Sequence, residues 1–458
     1  MTVRRSRGEG VPMLDGLGEF CTAALAAHEC PSASVAVVRD GTVVLAAAYG
    51  LADVAAGRPA TPDTRYVLAS ITKPITATAA CVLADRGLID LDVPLPAGSV
   101  TAPPGADWPA PTPRQLLQHR GGLTSHYDFR YGDDPRPPID VSGYTRLYRR
   151  PGSGYEYANH GYGLLGGVLE SASGLPLSHL LTREVFDPLG LRSSGLGTPG
   201  GSAATRYSID GRGYPTELTT SHPGATTGFA TASELALFGH RYDTLLRPAT
   251  AAATRDAAPI SDHLGYGLGW CVSRGDGPLI LSHGGGMGGV ATMLVVVPEL
   301  ALSVAVLTNG TSKAARNAIV DHVLSAAVPG YRPAAISPAS TAPARSLAPT
   351  VGGWSGSITT PDGPVPVALQ VHPDGRCELT LAGERATATA TPSGEADLTV
   401  TVDLQLPTAD ARRNSPLLGL VLTAGADGLS GVARAYQDGD RRGWLGNLLS
   451  HPVHLTHR

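Results

Sequence analysis

Ahead of residue 329 the strands of this chain come in two widely separated groups, and that spacing most constrains its fold. The first is "ASVAVVRDGTVVLAAAYGLAD", two strand-like runs around an Arg39-Asp40-Gly41 turn. Strand patterns return only from Gly265, as "YGLGWCVS", "PLILSHGG", "VATMLVVVP" and "ALSVAVLTN", divided by Gly-rich or Pro-Glu turns. Strands at both ends with helices between them predict one antiparallel sheet built from the two termini of a domain. The helical insertion would pack against that sheet, an α/β fold of the α+β type.

The insertion, from about Leu91 to Leu245, is rich in Pro, Gly and short helical periods, among them "PTPRQLLQHRGGLT" and "NHGYGLLGGVLESASGLPLSHLLTREVFDPLGL". An amphipathic helix is predicted ahead of the hairpin, with Leu14, Leu17, Cys21 and Leu25 at helical spacing. A second runs from Ser70 to about Gly87, packing Ile75, Ala79, Val82 and Leu83. A third, "TSKAARNAIVDHVLSAAV", presents Ala315, Ile319, His322 and Val323 or their neighbours.

Residues 329–350, "PGYRPAAISPASTAPARSLAPT", have no apolar period and read as a linker. Beyond it, short apolar runs alternate with Gly, Pro and Asp turns at about 8–12 residues, the spacing of all-β modules. The expected organisation is a catalytic domain over 1–328, the linker over 329–350, and a small β-barrel or sandwich over 351–458.

A length of 458 residues, 42% of them hydrophobic, suffices for a large core and a second domain. A net charge of -4 leaves no basic footprint, so no nucleic-acid partner is expected. Cys21, Cys30, Cys81, Cys271 and Cys377 are odd in number and form no C-x-x-C pair, which predicts reduced thiols and no zinc site. The basic start "MTVRRSRGEG" resembles an export signal, but Asp15 and Glu19 interrupt the apolar core it would need. No run approaches the roughly 18 apolar residues of a membrane span. A cytoplasmic protein without membrane association is expected.

The chain has only two lysines, and one, Lys73, stands three residues after Ser70 at the start of a predicted helix. That spacing puts both side chains on one face. A serine hydroxyl is a poor nucleophile until a neighbouring base takes its proton. Lysine serves as that base when burial or nearby positive charge lowers its pKa from about 10.4, which arginine cannot match. Downstream, "PGSGYEYANHGYG" carries Tyr157-Ala158-Asn159, and "LSHGGGMGG" carries His283-Gly284-Gly285 at the end of a predicted strand.

The ordered set Ser-x-x-Lys, Tyr-x-Asn, His-x-Gly resembles the serine β-lactamase and penicillin-binding-protein family, above all its class C-like, D-peptidase, esterase and transacylase branches. "QLLQHRGGLT", "VFDPLGL", "GFATASELALFG" and "YGLGW" resemble it too, so the likeness spans about residues 20 to 328. It implies a β-lactamase/transpeptidase-like domain in which Ser70 is the nucleophile and Lys73 its hydrogen-bonded base. Tyr157 would relay a proton to the leaving group, and Asn159 would bond Lys73 and the substrate amide. The base is not assigned more narrowly than the Lys73/Tyr157 pair.

The resemblance also implies that the backbone N–H groups of Ser70 and Gly286 receive the oxyanion. Gly284, Gly285 and Gly286 would let a substrate chain lie close to the strand. His283 replaces the lysine of the commoner Lys-Thr-Gly version, so the grip on a substrate carboxylate should be weaker and pH-dependent. That departure counts against β-lactam hydrolysis. His119 and His160 have no metal-ligand spacing and read as structural. No metal or cofactor is expected.

These readings imply an acyl-enzyme on Ser70, formed from an amide, ester or thioester of a small or peptidic, D-configured substrate. Water as acceptor makes a peptidase, amidase or esterase, and an amine makes a transacylase or peptide cyclase. Penicillin-binding-protein-type thioesterases that cyclise nonribosomal peptides have a similar catalytic domain followed by a small, lipocalin-like β domain. A carrier-protein-tethered substrate is therefore one expectation. A non-catalytic peptide or β-lactam sensor would lack Ser70, Lys73 or Tyr157, and all three are present. Near the carboxy end, "AYQDGDRRGW" could send Arg441 or Arg442 to a substrate carboxylate, although a solvated turn is the simpler reading.

Overall fold

The structure, a computed structural model, describes residues 2–4, 16–132, 139–275, 277–337, 344–394, 396–408, 417–436, 440–441, 443–445 and 448–458. The hairpin forms as Ser32–Arg39 paired with Thr42–Asp53. Asp40 and Gly41 both have positive φ, 50° and 75°, as a two-residue turn matched to strand twist requires. Ser32–Arg39 then pairs antiparallel with Leu302–Thr308, across the whole helical insertion. Next in order lie Val290–Val297, Leu281–Met287, Cys271–Ser273, Leu264–Tyr266 and Ala258–Pro259.

Ala47, Val35, Val306, Met293 and Gly284 are successive register partners across five strands. The amino-terminal hairpin thus sets the level of Gly284 in the sheet. Both sheet faces are covered. Val35 and Val37 pack with the helices Leu17–Ala27 and Ala314–Ala327, while Ala36 and Val38 face the insertion. Val290–Val297 is accordingly buried at every position.

The closing helix Ala314–Ala327 buries Ala315, Ile319, Val320, Val323 and Leu324. His322 lies at the edge of that face, stacked on Phe20 with ring centroids 4.0 Å apart. Thr72–Asp85, the helix just ahead of the insertion, is buried continuously from Thr72 to Leu83 and so packs on all sides. It starts after a 3₁₀ turn, Ala69–Ile71, which takes Ser70 out of the regular helix. Pro74 is its third residue, where a backbone N–H would have no helical partner.

The described strands from Gly352 to His457 form a separate eight-stranded antiparallel sheet. Its edge strands, Glu384–Thr389 and Leu398–Asp403, lie against each other, so the barrel is nearly closed around Leu369, Leu379, Leu420 and Leu455. Two of its strands had no clear signal. Gly352–Thr360 is diluted by Gly, Ser and Thr, and Leu449–His457 contains Pro452 and three histidines. They pair with each other through Ile358 and Val453. Among the described residues, no helix is long and apolar enough to cross a membrane.

Candidate active site

Ser70 is buried in its 3₁₀ turn, behind Ala69 at φ 50°. Left-handed backbone at alanine costs on the order of 1–2 kcal/mol and persists only where the surroundings enforce it. Here they do. Leu68 N–H donates to Gly228 O at 2.7 Å, Thr292 Oγ1 to Leu68 O at 2.8 Å, and Thr72 Oγ1 to Ala69 O at 2.7 Å.

Lys73 is fully buried one turn further on. Its Nζ donates to Asn159 Oδ1 at 2.6 Å, Ala225 O at 3.1 Å and Ser70 Oγ at 3.3 Å. It also lies 4.6 Å from the centroid of the Tyr157 ring. Burial pulls the ammonium well below the usual lysine range, and no carboxylate is among these partners to restore it. Burial pushes the Tyr157 phenol well above its ordinary value, partly offset by the Ser70 hydroxyl. Asn159 opens the helix Asn159–Ser173. Its Nδ2 is buried without a partner among the described residues, with Tyr127 beside it.

The Leu281–Met287 strand runs directly against the Ser70 turn. At Gly285 a Cβ would stand 2.1 Å from both Leu68 O and Thr292 Oγ1, so only glycine permits the approach. Buried Arg316 braces the strand pair by donating from Nη1 to Thr292 O at 2.9 Å. A Cβ on Gly286 would meet Lys313 Cε at 2.8 Å, which places the second lysine at the edge of the same strand.

His283 is buried, with Nε2 2.9 Å from the Tyr266 hydroxyl and Nδ1 3.0 Å from Gly284 O. Burial, helped by the nearby Lys73 charge, pulls its pKa down to about 3. The imidazole is therefore neutral through the physiological range. Burial thus moves the charge change of this group to acid.

The structure gathers Ser70, Lys73, Tyr157 and Asn159 around one point. His283 is close behind, its ring centroid 6.4 Å from that of Tyr157. His119, read from sequence as structural, also belongs to this wall. Its ring lies 4.2 Å from Tyr157 and 4.8 Å from Tyr266, and its Nδ1 accepts the Ala158 N–H at 3.1 Å. It fixes the backbone between Tyr157 and Asn159. His160 lies elsewhere, 2.7 Å from Thr145 Oγ1 and packed on His126. Among the described residues, no group of His, Cys, Asp and Glu is arranged to hold a metal.

Arg441 is exposed at a turn, and Arg442 lies outside the described residues. Among the described residues, the barrel's Arg434 reaches the catalytic domain, its Nη2 donating to Thr124 Oγ1 at 3.0 Å and Glu156 Oε1 at 3.1 Å. Tyr127 and Leu448 exchange two backbone hydrogen bonds of 2.8 and 2.9 Å, and Ser450 Oγ donates to Ser125 O at 2.6 Å. Buried Asp440 accepts from the Tyr214 hydroxyl at 2.9 Å. The barrel thus clamps the 124–131 loop, whose Ser125 in turn donates to Tyr157 O at 3.0 Å. Sequence offered one signal for the additional residues, the rarity of lysine at Lys313; Tyr266 lies within a quoted phrase, and Arg434 has none.

A family model described as beta-lactamase matches residues 19–327. A D-aminopeptidase of Gluconobacter oxydans (strain 621H) is 27% identical over 310 residues, covering 62% of this chain and 57% of that protein. Esterase EstB of Burkholderia gladioli is 37% identical over 180 residues, 35% of this chain and 45% of the esterase. The chain therefore spans about half the length of these curated relatives. The crystal structure of SurE with D-Leu superposes with a TM-score of 0.65 at 21% identity, over 96% of this chain and 99% of that one. That likeness shows a shared fold that includes the carboxy-terminal barrel.

Proposed function

The chain belongs to the beta-lactamase family, whose relatives include hydrolytic D-aminopeptidases and esterases, and from that premise we propose that it is a serine acyl-enzyme hydrolase or acyltransferase. Its substrate is an amide, ester or thioester of a small or peptidic, D-configured acyl group. The observation that carries this reading is the Lys73 amine, 3.3 Å from Ser70 Oγ and stripped of solvent.

In this reading neutral Lys73 accepts the Ser70 proton as Oγ attacks the carbonyl carbon. The tetrahedral oxyanion rests on the backbone N–H groups of Ser70 and Gly286, donors that need no reorganisation. Tyr157, a neutral phenol at rest, hands a proton to the departing amine, alcohol or thiol and is reprotonated from Lys73. An acceptor, water or amine, then releases the acyl group by the reverse sequence. Neutral His283 orients the Tyr266 hydroxyl instead of supplying charge to the site.

A transacylase or peptide cyclase is the second reading. It is favoured by the barrel clamped on the active-site loop, since a wall beside the acyl-enzyme can hold an amine acceptor against water. Turnover of D- and L-aminoacyl amides, esters and thioesters with and without added amines tests both readings. A hydrolase yields the free acid in every case. A transacylase yields amide that rises with amine concentration, and no turnover of any donor contradicts both.

A further inference from the structure

A cavity of about 820 Å³ lies between the barrel and the catalytic domain, away from Ser70. Among the described residues, four guanidinium groups line it, Arg146, Arg149, Arg345 and Arg434, against a single carboxylate, Glu156. Glu156 pairs with Arg149 at 2.5 Å and with Arg434 at 3.1 Å, so one negative charge is shared between two positive ones. Among the described residues, no ion pair engages Arg146 or Arg345. The cavity therefore carries a net positive charge, while Trp108, Pro452 and Val453 give it an apolar side.

Like charges lining a partly enclosed space repel one another and raise the local potential, and an anion relieves both costs. The planar fork of arginine pairs equally with phosphate and carboxylate oxygens. The volume suits a small organic molecule and exceeds what one simple ion would fill. We propose that this interdomain cavity binds an organic anion bearing phosphate or carboxylate groups, with Arg146 and Arg345 supplying the uncompensated charge and Trp108 packing its apolar part. Arg345 comes from the stretch that joins the two domains and Arg434 from the barrel, so an occupant would tie barrel, connector and catalytic domain together. The site is separate from the nucleophile and does not depend on the chemistry at Ser70.

The test is calorimetric titration of the full chain at low salt with inorganic pyrophosphate and, separately, with citrate. The expected result is one-to-one binding tighter than about 1 mM, weakened by salt. Binding of pyrophosphate alone identifies phosphate as the recognised group, and of citrate alone carboxylate. The Arg146→Gln/Arg345→Gln variant should lose about tenfold in affinity or more, and Ser70→Ala should lose none. Arg345→Gln alone, at an exposed position, should already weaken binding several-fold and guards against misfolding of the double variant. Absence of binding by both probes, or unchanged affinity in both arginine variants, overturns the proposal.

Discussion

Arg434 on the barrel donates to Glu156 Oε1 at 3.1 Å, and Glu156 is the residue immediately before Tyr157. The carboxy-terminal domain thus touches the residue beside Tyr157, the proposed proton relay, in addition to the path through Ser450 and Ser125. Arg434→Ala should lower kcat about tenfold with little change in KM, because misplacing a proton relay slows the step without removing binding surface. Steady-state kinetics checks this. An unchanged kcat would reduce the contact to a structural one.

Lys73 must be neutral to act as base, so acylation should rise with pH and level off once its lowered pKa is passed. The plateau should be reached well below the ordinary lysine range. Lys73→Arg keeps the charge but cannot release a proton, and should cost at least about 10³-fold in acylation. Stopped-flow acylation across pH measures both effects. A limb at an unperturbed lysine pKa would contradict the account.

Gly285 should not tolerate a side chain. Gly285→Ala brings Cβ to 2.1 Å from the Leu68 carbonyl, a backbone atom that cannot step aside without moving the Ser70 turn. A loss of about 1–3 kcal/mol in stability and most of the activity is expected. Gly284→Ala, which meets Arg316 Nη1 at 3.3 Å, should be milder. Thermal unfolding and activity of the two variants make the comparison.

Acid should unfold the protein through histidines buried in the neutral form. Burial lowers His451 from 6.5 to about 4 and His160 to about 3. A depressed folded-state pKa means stability that is present above pH 6.5 and lost as pH falls toward those values. For His451 the shift corresponds to on the order of 3 kcal/mol. Tm measured from pH 7 to pH 4 should fall steeply, and His451→Gln should flatten the slope.

Much of this was legible in sequence because it is local or ordered. Alternating strands, the Asp40-Gly41 turn and the three-residue step from Ser70 to Lys73 write themselves into short windows. A single sheet built from the two ends was inferred only from the strand-helix-strand arrangement, and which strand the hairpin pairs with, Leu302–Thr308, was not legible. What sequence hid depends on contacts between distant segments. The place of His119 was hidden in this way, since a left-handed backbone, φ 54°, brings its ring onto Tyr157. The burial of His283, which lowers its pKa, was hidden as well, because it comes from long-range packing around its strand. Arg434 sits in an ordinary alternating strand, and only the docking of two domains gives it a role.

The central claim is a covalent ester on Ser70, and intact-mass spectrometry after mixing with D- and L-aminoacyl esters and peptidyl thioesters tests it most directly. The account predicts a mass increase equal to the acyl group on the wild-type chain, mapped to the peptide containing Ser70 and absent from Ser70→Ala. Equal labelling of the Ser70→Ala protein, or no adduct from any donor on the wild type, would contradict it.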